Sequence, residues 1–219
     1  YNAGLSVTTG TLNTIVGALA GDALTTGGNN VAIGYVAGGA MIESDNNVAI
    51  GINALKVETH GNRTVAIGSN ALISQVNSGG EDVYNVAVGY NAGFSVTSGA
   101  QNIIIGGRAG DAITTGDNNV VIGYQALTTQ ILGGQNVAIG TQALRLQNVD
   151  GHGNNVAVGH QAGLSVTTGT KNTLVGGKAG DALTTGEHNV VLGYNALSAE
   201  DVGSRSTAVG YAALSAQNV

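Results

Sequence analysis

The sequence predicts an all-β chain, wound as a parallel β-roll or β-solenoid of 17-residue coils. Three observations carry that expectation: a marker recurring at a fixed interval, a strand-like pattern inside it, and a composition that cannot build an ordinary core.

The marker is the five-residue run Asn30 to Gly34, Asn-Val-Ala-Ile-Gly. Its glycine recurs at Gly17, Gly34, Gly51, Gly68, Gly89, Gly106, Gly123, Gly140, Gly159, Gly176, Gly193 and Gly210. The interval is 17 residues throughout, except for 21 between Gly68 and Gly89 and 19 between Gly140 and Gly159. Three residues after each glycine stands an alanine, from Ala20 to Ala213, and Ala3 fits the same phase. A longer period lies over the short one, since the segment 90–99 is nearly repeated at 160–169 and at 1–10. The chain thus reads as one solenoid over residues 1–219, of about 13 coils, with blocks closing near 89 and 159 at an expanded coil. Residues 214–219 match 144–149, where an expanded coil begins, so the expectation is a window from a longer fibre chain.

Seventeen residues are too few for a helical hairpin and carry no helical apolar stripe. They suit a coil of two short strands and two glycine-rich turns. Inside the marker, Val48 and Ile50 point to one side of a strand and Ala49 between them to the other, and both sides are apolar along the chain. A strand apolar on both faces is covered on both. The marker asparagines Asn13, Asn30, Asn47, Asn85, Asn102, Asn119, Asn136, Asn155, Asn172 and Asn189 are expected to stack as a structural ladder, with Thr64 and Ser206 as hydrogen-bonding replacements.

The composition supports the same reading. The chain has 37 Gly, no Pro, no Cys, no Trp and one Phe, and 9% charged residues with a formal net charge of −6. Without a block of like charge, nucleic acid and anionic membrane are poor partners. No apolar run reaches the length of a membrane span. Burying three or four aliphatic side chains per coil does not offset the entropy of ordering 17 residues, so a second apolar face buried against identical copies is expected. The marker's middle residue, Ala138 or Ala157 for instance, is the position assigned to that interface.

Asn-Val-Ala-Ile-Gly-x-x-Ala in a dozen copies resembles the YadA-like head repeat of trimeric autotransporter adhesins. With Tyr-Asn-Ala-Gly and Thr-Thr-Gly added, it looks still more like repeats of phage tail fibre proteins. The resemblance implies a left-handed roll, a homotrimer, an extracellular place on a cell surface or virion fibre, and no cofactor. The coils here are longer than those of the adhesin heads. Function is accordingly expected to be that of a structural or adhesive fibre segment, with a receptor- or glycan-binding head as the alternative.

Candidate sites follow. The expanded coils should project as surface loops on one side, four coils apart, and their Glu81, Asp82, Tyr84, Asp150 and His152 are the candidates for contact with a cell-surface glycan or protein receptor. Tyr1, Tyr35, Tyr90, Tyr124, Tyr194 and Tyr211 follow the marker glycine, where they either cap the turn, the plainer reading, or stack sugars. Asp22, Asp111 and Asp181 recur once per block, as turn-bonding residues before cation ligands. Thr pairs such as Thr8-Thr9 invite an ice-binding reading, which the breaks at Ile42-Glu43 and Ile131-Leu132 oppose. No metal, cofactor or catalytic group is assigned: His60, His152, His160 and His188 fall at different phases, no nucleophile or phosphate-loop motif occurs, and Asn62-Arg63-Thr64 is a lone glycosylation sequon.

Overall fold

The computed structural model describes residues 1–199 and 201–216. Twelve three-residue strands form one parallel sheet in chain order: β1 (Thr14–Val16), β2 (Val31–Ile33), β3 (Val48–Ile50), β4 (Val65–Ile67), β5 (Val86–Val88), β6 (Ile103–Ile105), β7 (Val120–Ile122), β8 (Val137–Ile139), β9 (Val156–Val158), β10 (Thr173–Val175), β11 (Val190–Leu192) and β12 (Thr207–Val209). Register is kept marker to marker, Val31 opposite Val48 and Ala138 opposite Ala157, even across the two expanded coils. The chain is therefore an all-β solenoid advancing one turn per marker, with no helix among the described residues. The match of 217–219 to 147–149 lies outside the described residues.

Each coil holds one strand and not two. Numbering from the marker glycine, backbone at +2 and +4 and at the residue before the marker asparagine is left-handed: Val36 (φ 56°), Gly38 (φ 56°) and Asn29 (φ 58°) in one coil. Three such residues per coil break every other extended run, and each turns its N–H along the solenoid axis. Val36 N donates to Ala18 O at 3.0 Å in the coil before, Gly38 N to Ala54 O at 2.9 Å in the coil after, and Asn29 N to Thr11 O at 3.0 Å. The turn side is thus hydrogen-bonded coil to coil as the strand side is, which satisfies backbone that a compact chain would otherwise leave unpaired. At the marker glycine the coils come closest. Gly34 has φ +133°, and a Cβ there would lie 2.6 Å from Gly51 O. Only glycine combines that backbone with that approach.

The strand's middle residue faces inward, contrary to the expectation that placed it between copies. Ala138 and Ala157 are fully buried within their own coil, as are Ile104, Val121 and Leu174. The reason is the narrowness of the coil: three strand residues offer one inward position, and the flanking pair must then point out. The core consists of that middle residue, the alanine at +3 and one large group from +4 or +7.

Those last two positions trade with each other. Where +4 is glycine, +7 is apolar, as in Gly21 with Leu24, Gly38 with Met41 and Gly110 with Ile113. Where +4 is leucine, +7 is Gln or Glu, and among the described residues it is buried: Leu55 with Glu58, Leu72 with Gln75, Leu127 with Gln130 and Leu144 with Gln147. The strand centre completes the exchange. Ile104 sits between the coils of Gly93 and Gly110, while Ala138 sits between those of Leu127 and Leu144. The exchange keeps a large group in every coil, as close packing requires, and Ala32, between the coils of Gly21 and Gly38, is the strand centre that stays small beside two glycines.

Candidate functional site: the asparagine ladder and the expanded coils

Every ladder asparagine spans two coils. Asn30 Nδ2 donates to Ser44 O at 2.7 Å, and its Oδ1 accepts from Asn47 N at 3.0 Å. Asn102 repeats the arrangement with Gly116 O at 2.9 Å and Asn119 N at 2.9 Å, and Asn172 with Gly186 O and Asn189 N, both at 2.9 Å. Asn47, Asn85, Asn119, Asn136, Asn155 and Asn189 are likewise fully buried, and Asn13 in the first coil is half-buried. The replacements keep the acceptor side supplied: Thr64 N and Ser206 N donate to Asn47 Oδ1 and Asn189 Oδ1, each at 2.8 Å.

At both expanded coils a buried glutamine stitches the ladder across the added residues. Gln147 Nε2 donates to Asn136 Oδ1 at 2.9 Å, and its Oε1 accepts from Asn155 Nδ2 at 3.0 Å. Gln75 does the same between Thr64 Oγ1 at 3.1 Å and Asn85 Nδ2 at 2.9 Å. The preceding coil anchors each loop. Gln130 bonds both the N–H and the carbonyl of Val149, at 3.3 and 2.8 Å.

Glu58 anchors the first loop more strongly. Its Oε1 accepts from the backbone N–H groups of Thr59, His60, Gly61 and Asn77 at 2.8 to 3.2 Å, and its Oε2 from Gln75 Nε2 and Asn77 Nδ2 at 2.9 and 3.1 Å. Six donors replace the hydration of a fully buried carboxylate, the condition under which such a group is tolerated. Sequence reasoning missed Glu58, Gln75 and Gln147. Their signal was present as leucine followed by Gln or Glu three residues on.

The loops rejoin the ladder through parallel bridges, Asn62 with Asp82 and Gly134 with His152. Both lie in the same stretch of the coil, before β5 and before β9, about 19 Å apart at about 4.8 Å per coil. Glu81, Asp82, Tyr84, Asp150 and His152 are all exposed, whereas Val83 and Val149 fold inward. The first loop gathers a cluster: Asp82 is ion-paired to Arg63, and Tyr84 OH donates to Asp82 Oδ2 at 3.2 Å and lies 3.0 Å from Arg63 Nη1. The Arg63 guanidinium also stands 5.6 Å from the Tyr84 ring centre. Arg63 had been read only as part of a sequon. Asn62 itself is committed, its Oδ1 accepting from Asp45 N at 2.7 Å and its Nδ2 donating to Gly80 O at 2.9 Å, and Thr64 is buried. In the second loop the matching positions carry Gln135 and Asn154, so Asp150 and His152 gain no such cluster and are not brought together with Glu81 and Asp82.

The other candidates divide. Tyr35, Tyr90, Tyr124 and Tyr194 are half-exposed, and Tyr194 stacks on Tyr211 with ring centres 5.8 Å apart. Asp111 pairs with Arg108 at 3.1 Å. Burial pushes the Asp181 carboxyl above the usual carboxylate range, opposed by the Lys178 ammonium and by backbone N–H groups, and its Oδ1 has no hydrogen-bond partner. Among the described residues no group of His, Asp and Glu has metal-ligating geometry. The threonines use their hydroxyls between coils, Thr8 Oγ1 donating to Thr25 O at 3.1 Å and Thr97 Oγ1 to Thr114 O at 3.2 Å.

No family model matches this chain, and no curated protein or solved structure is significantly similar to it.

Proposed function

We propose that the chain is a rigid structural segment of an extracellular fibre of the tail-fibre or surface-adhesin kind, and that identical copies, three in the simplest arrangement, cover its outer sheet face. One observation carries this reading. The residues flanking each strand centre point outward and form two unbroken columns of Val, Ile and Leu relieved only by Thr14, Thr173 and Thr207. Val16, Ile103, Leu192 and Val209 are 56%, 40%, 49% and 62% exposed, and the flanking residues of β2 to β5 and β7 to β9 are half-buried. Eleven steps of about 4.8 Å make this a flat aliphatic strip about 53 Å long. Monomeric soluble chains rarely leave such a strip uncovered. A length-giving role fits a molecule whose coils differ little and whose backbone bonds run along the whole axis.

The two faces of the strand assign opposite outcomes to adjacent residues. Ile139→Glu, on the outer face, is expected to separate the copies and leave β-sheet circular dichroism intact. Ala138→Glu, in the closed core, is expected to unfold the chain by burying an unpaired charge. If Ile139→Glu keeps the native mass, the strip is not the contact.

The Arg63, Asp82 and Tyr84 cluster favours a second reading, in which the first loop contacts a receptor. Deleting residues 78–81 restores a 17-residue coil and keeps Asn77 for Glu58 and Val83 N for Asn62 O, while removing the exposed acceptors Gly80 O and Glu81 O of Asn62. The deletion is expected to leave the melting temperature within a few degrees, about 1 kcal/mol. Loss of cell or glycan binding in that variant and in Tyr84→Ala, which removes the ring of the cluster that the deletion leaves in place, supports the receptor reading, and unchanged binding in both leaves the loop as tolerated surface.

A further inference from the structure

From the middle of the chain onward, the residue directly after the marker glycine alternates between a ring and a small group. Rings stand at Tyr90, Tyr124, His160 and Tyr194, and between them stand Gly107, Thr141 and Gly177. Because strands β5 to β11 stack in strict register, the rings fall on every second coil, about 9.6 Å apart. Tyr90, Tyr124 and Tyr194 are 58%, 53% and 52% exposed, and His160 is exposed.

The small residues shape the row. A Cβ at Gly107 would lie 3.5 Å from Tyr124 Cδ2, and one at Gly177 would lie 3.2 Å from Tyr194 Cδ2, so each ring leans over the small residue of the coil before it. Where two tyrosines follow on adjacent coils the outcome differs. Tyr194 and Tyr211 stack at 5.8 Å with an interplanar angle of 15° and cover each other's facing sides. Alternation with small residues keeps Tyr90, Tyr124 and His160 apart.

Five of the seven residues at the flanking position are amides, Asn91, Gln125, Gln142, Gln161 and Asn195, and the other two are Arg108 and Lys178. Gln125, Gln142 and Gln161 are joined amide to amide at 3.3 and 3.0 Å. Arg108 is ion-paired to Asp111 at 3.1 Å. Rings at a fixed interval beside neutral amides match a ligand that is uncharged, rich in hydroxyls, extended, and able to offer a flat C–H face at the same interval. A β-1,4-linked hexopyranose chain has those properties. Its successive sugars are turned by half a turn, so every second one presents the same face, and two sugars span about the rise of two coils, about 10 Å. We propose that the row from Tyr90 to Tyr194 binds neutral β-1,4-linked polysaccharide laid along the solenoid axis, the rings stacking on alternate sugars and the amides meeting hydroxyls. The row stands two residues past the second column of the strip, beyond the marker glycine, and the proposal goes beyond the shaft reading without requiring it.

The test titrates the native assembly with cellohexaose and chitohexaose, with maltohexaose as the α-linked control. Binding to a β-1,4 hexamer and not to the control is expected, with about a tenfold loss on Tyr124→Ala. A paired variant, Gly107→Tyr with Tyr124→Gly, keeps the number of rings but moves one out of step, and is expected to weaken binding comparably at unchanged melting temperature and mass. Absence of binding by the native protein, or equal binding by the paired variant, overturns the proposal. So does a changed assembly mass for Tyr124→Ala, which would give the rings to an interface between copies. A monomeric native mass would count against the covered strip alone, because sugar binding is read separately.

Discussion

At Asn136 a single amide completes four hydrogen bonds. Its Nδ2 donates to Asn119 Oδ1 at 3.2 Å and to Gly134 O at 3.1 Å, and its Oδ1 accepts from Asn155 N at 3.2 Å and Gln147 Nε2 at 2.9 Å. Asn136→Leu would leave those partners buried and unpaired, so we expect a loss of about 2 to 3 kcal/mol by chemical denaturation. A loss below about 0.5 kcal/mol would mean that backbone bonds alone hold the coils together. The asparagines were legible in the sequence because they recur at one phase. The left-handed residues were not. Positions +2 and −5 carry Asn, Gln, Lys, Arg, Leu and even Val36, a mixture with no turn signature, because coil closure imposes the backbone there whatever the side chain. Glu58 also escaped notice. An acid at a position that elsewhere holds glutamine looks like surface until the loop that donates to it is folded.

The coil as an element shows why the strand count was overestimated and the burial assignment reversed. Apolar residues on both sides of the marker were read as two covered faces, and the structure closes one of them, the strand centre, inside the coil. Sequence periodicity does not say which face closes on its own coil, and the pair was assigned inward when it is the middle residue that lies inside. What decides is the space across the coil, shared among the strand centre, +4 and +7. That exchange makes a testable rule. A Cβ at Gly93 would lie 2.9 Å from Leu72 Cδ2 and 3.0 Å from Ile104 Cδ1, on a backbone of φ +59°. Gly93→Leu alone should therefore cost about 3 kcal/mol through overpacking. Adding Val96→Gln and Ile104→Ala converts the coil to the type found at Leu127, Gln130 and Ala138, and should recover most of the loss. Thermal melts of the single and triple variants check this, and additive destabilisation by all three changes would refute the exchange.

For the whole molecule, the core runs as a thin inner column of alanines and single large groups, while a second set of aliphatic side chains lies outside on the strip of β1 to β12. A solenoid built this way gains length at little cost in sequence complexity, since each coil contacts only its neighbours and adds the same increment of stability. It leaves the strip to be covered from outside, and a second copy carrying the same flat strip matches it in length and character without further design. The fibre reading stands or falls on that cover. The most direct measurement is the mass of the chain in solution, by light scattering or sedimentation equilibrium at micromolar concentration. The account predicts an integral multiple of the 21.6 kDa chain, three in the simplest case, that persists on dilution. A stable species of 21.6 kDa that stays folded with its strip in water would contradict it.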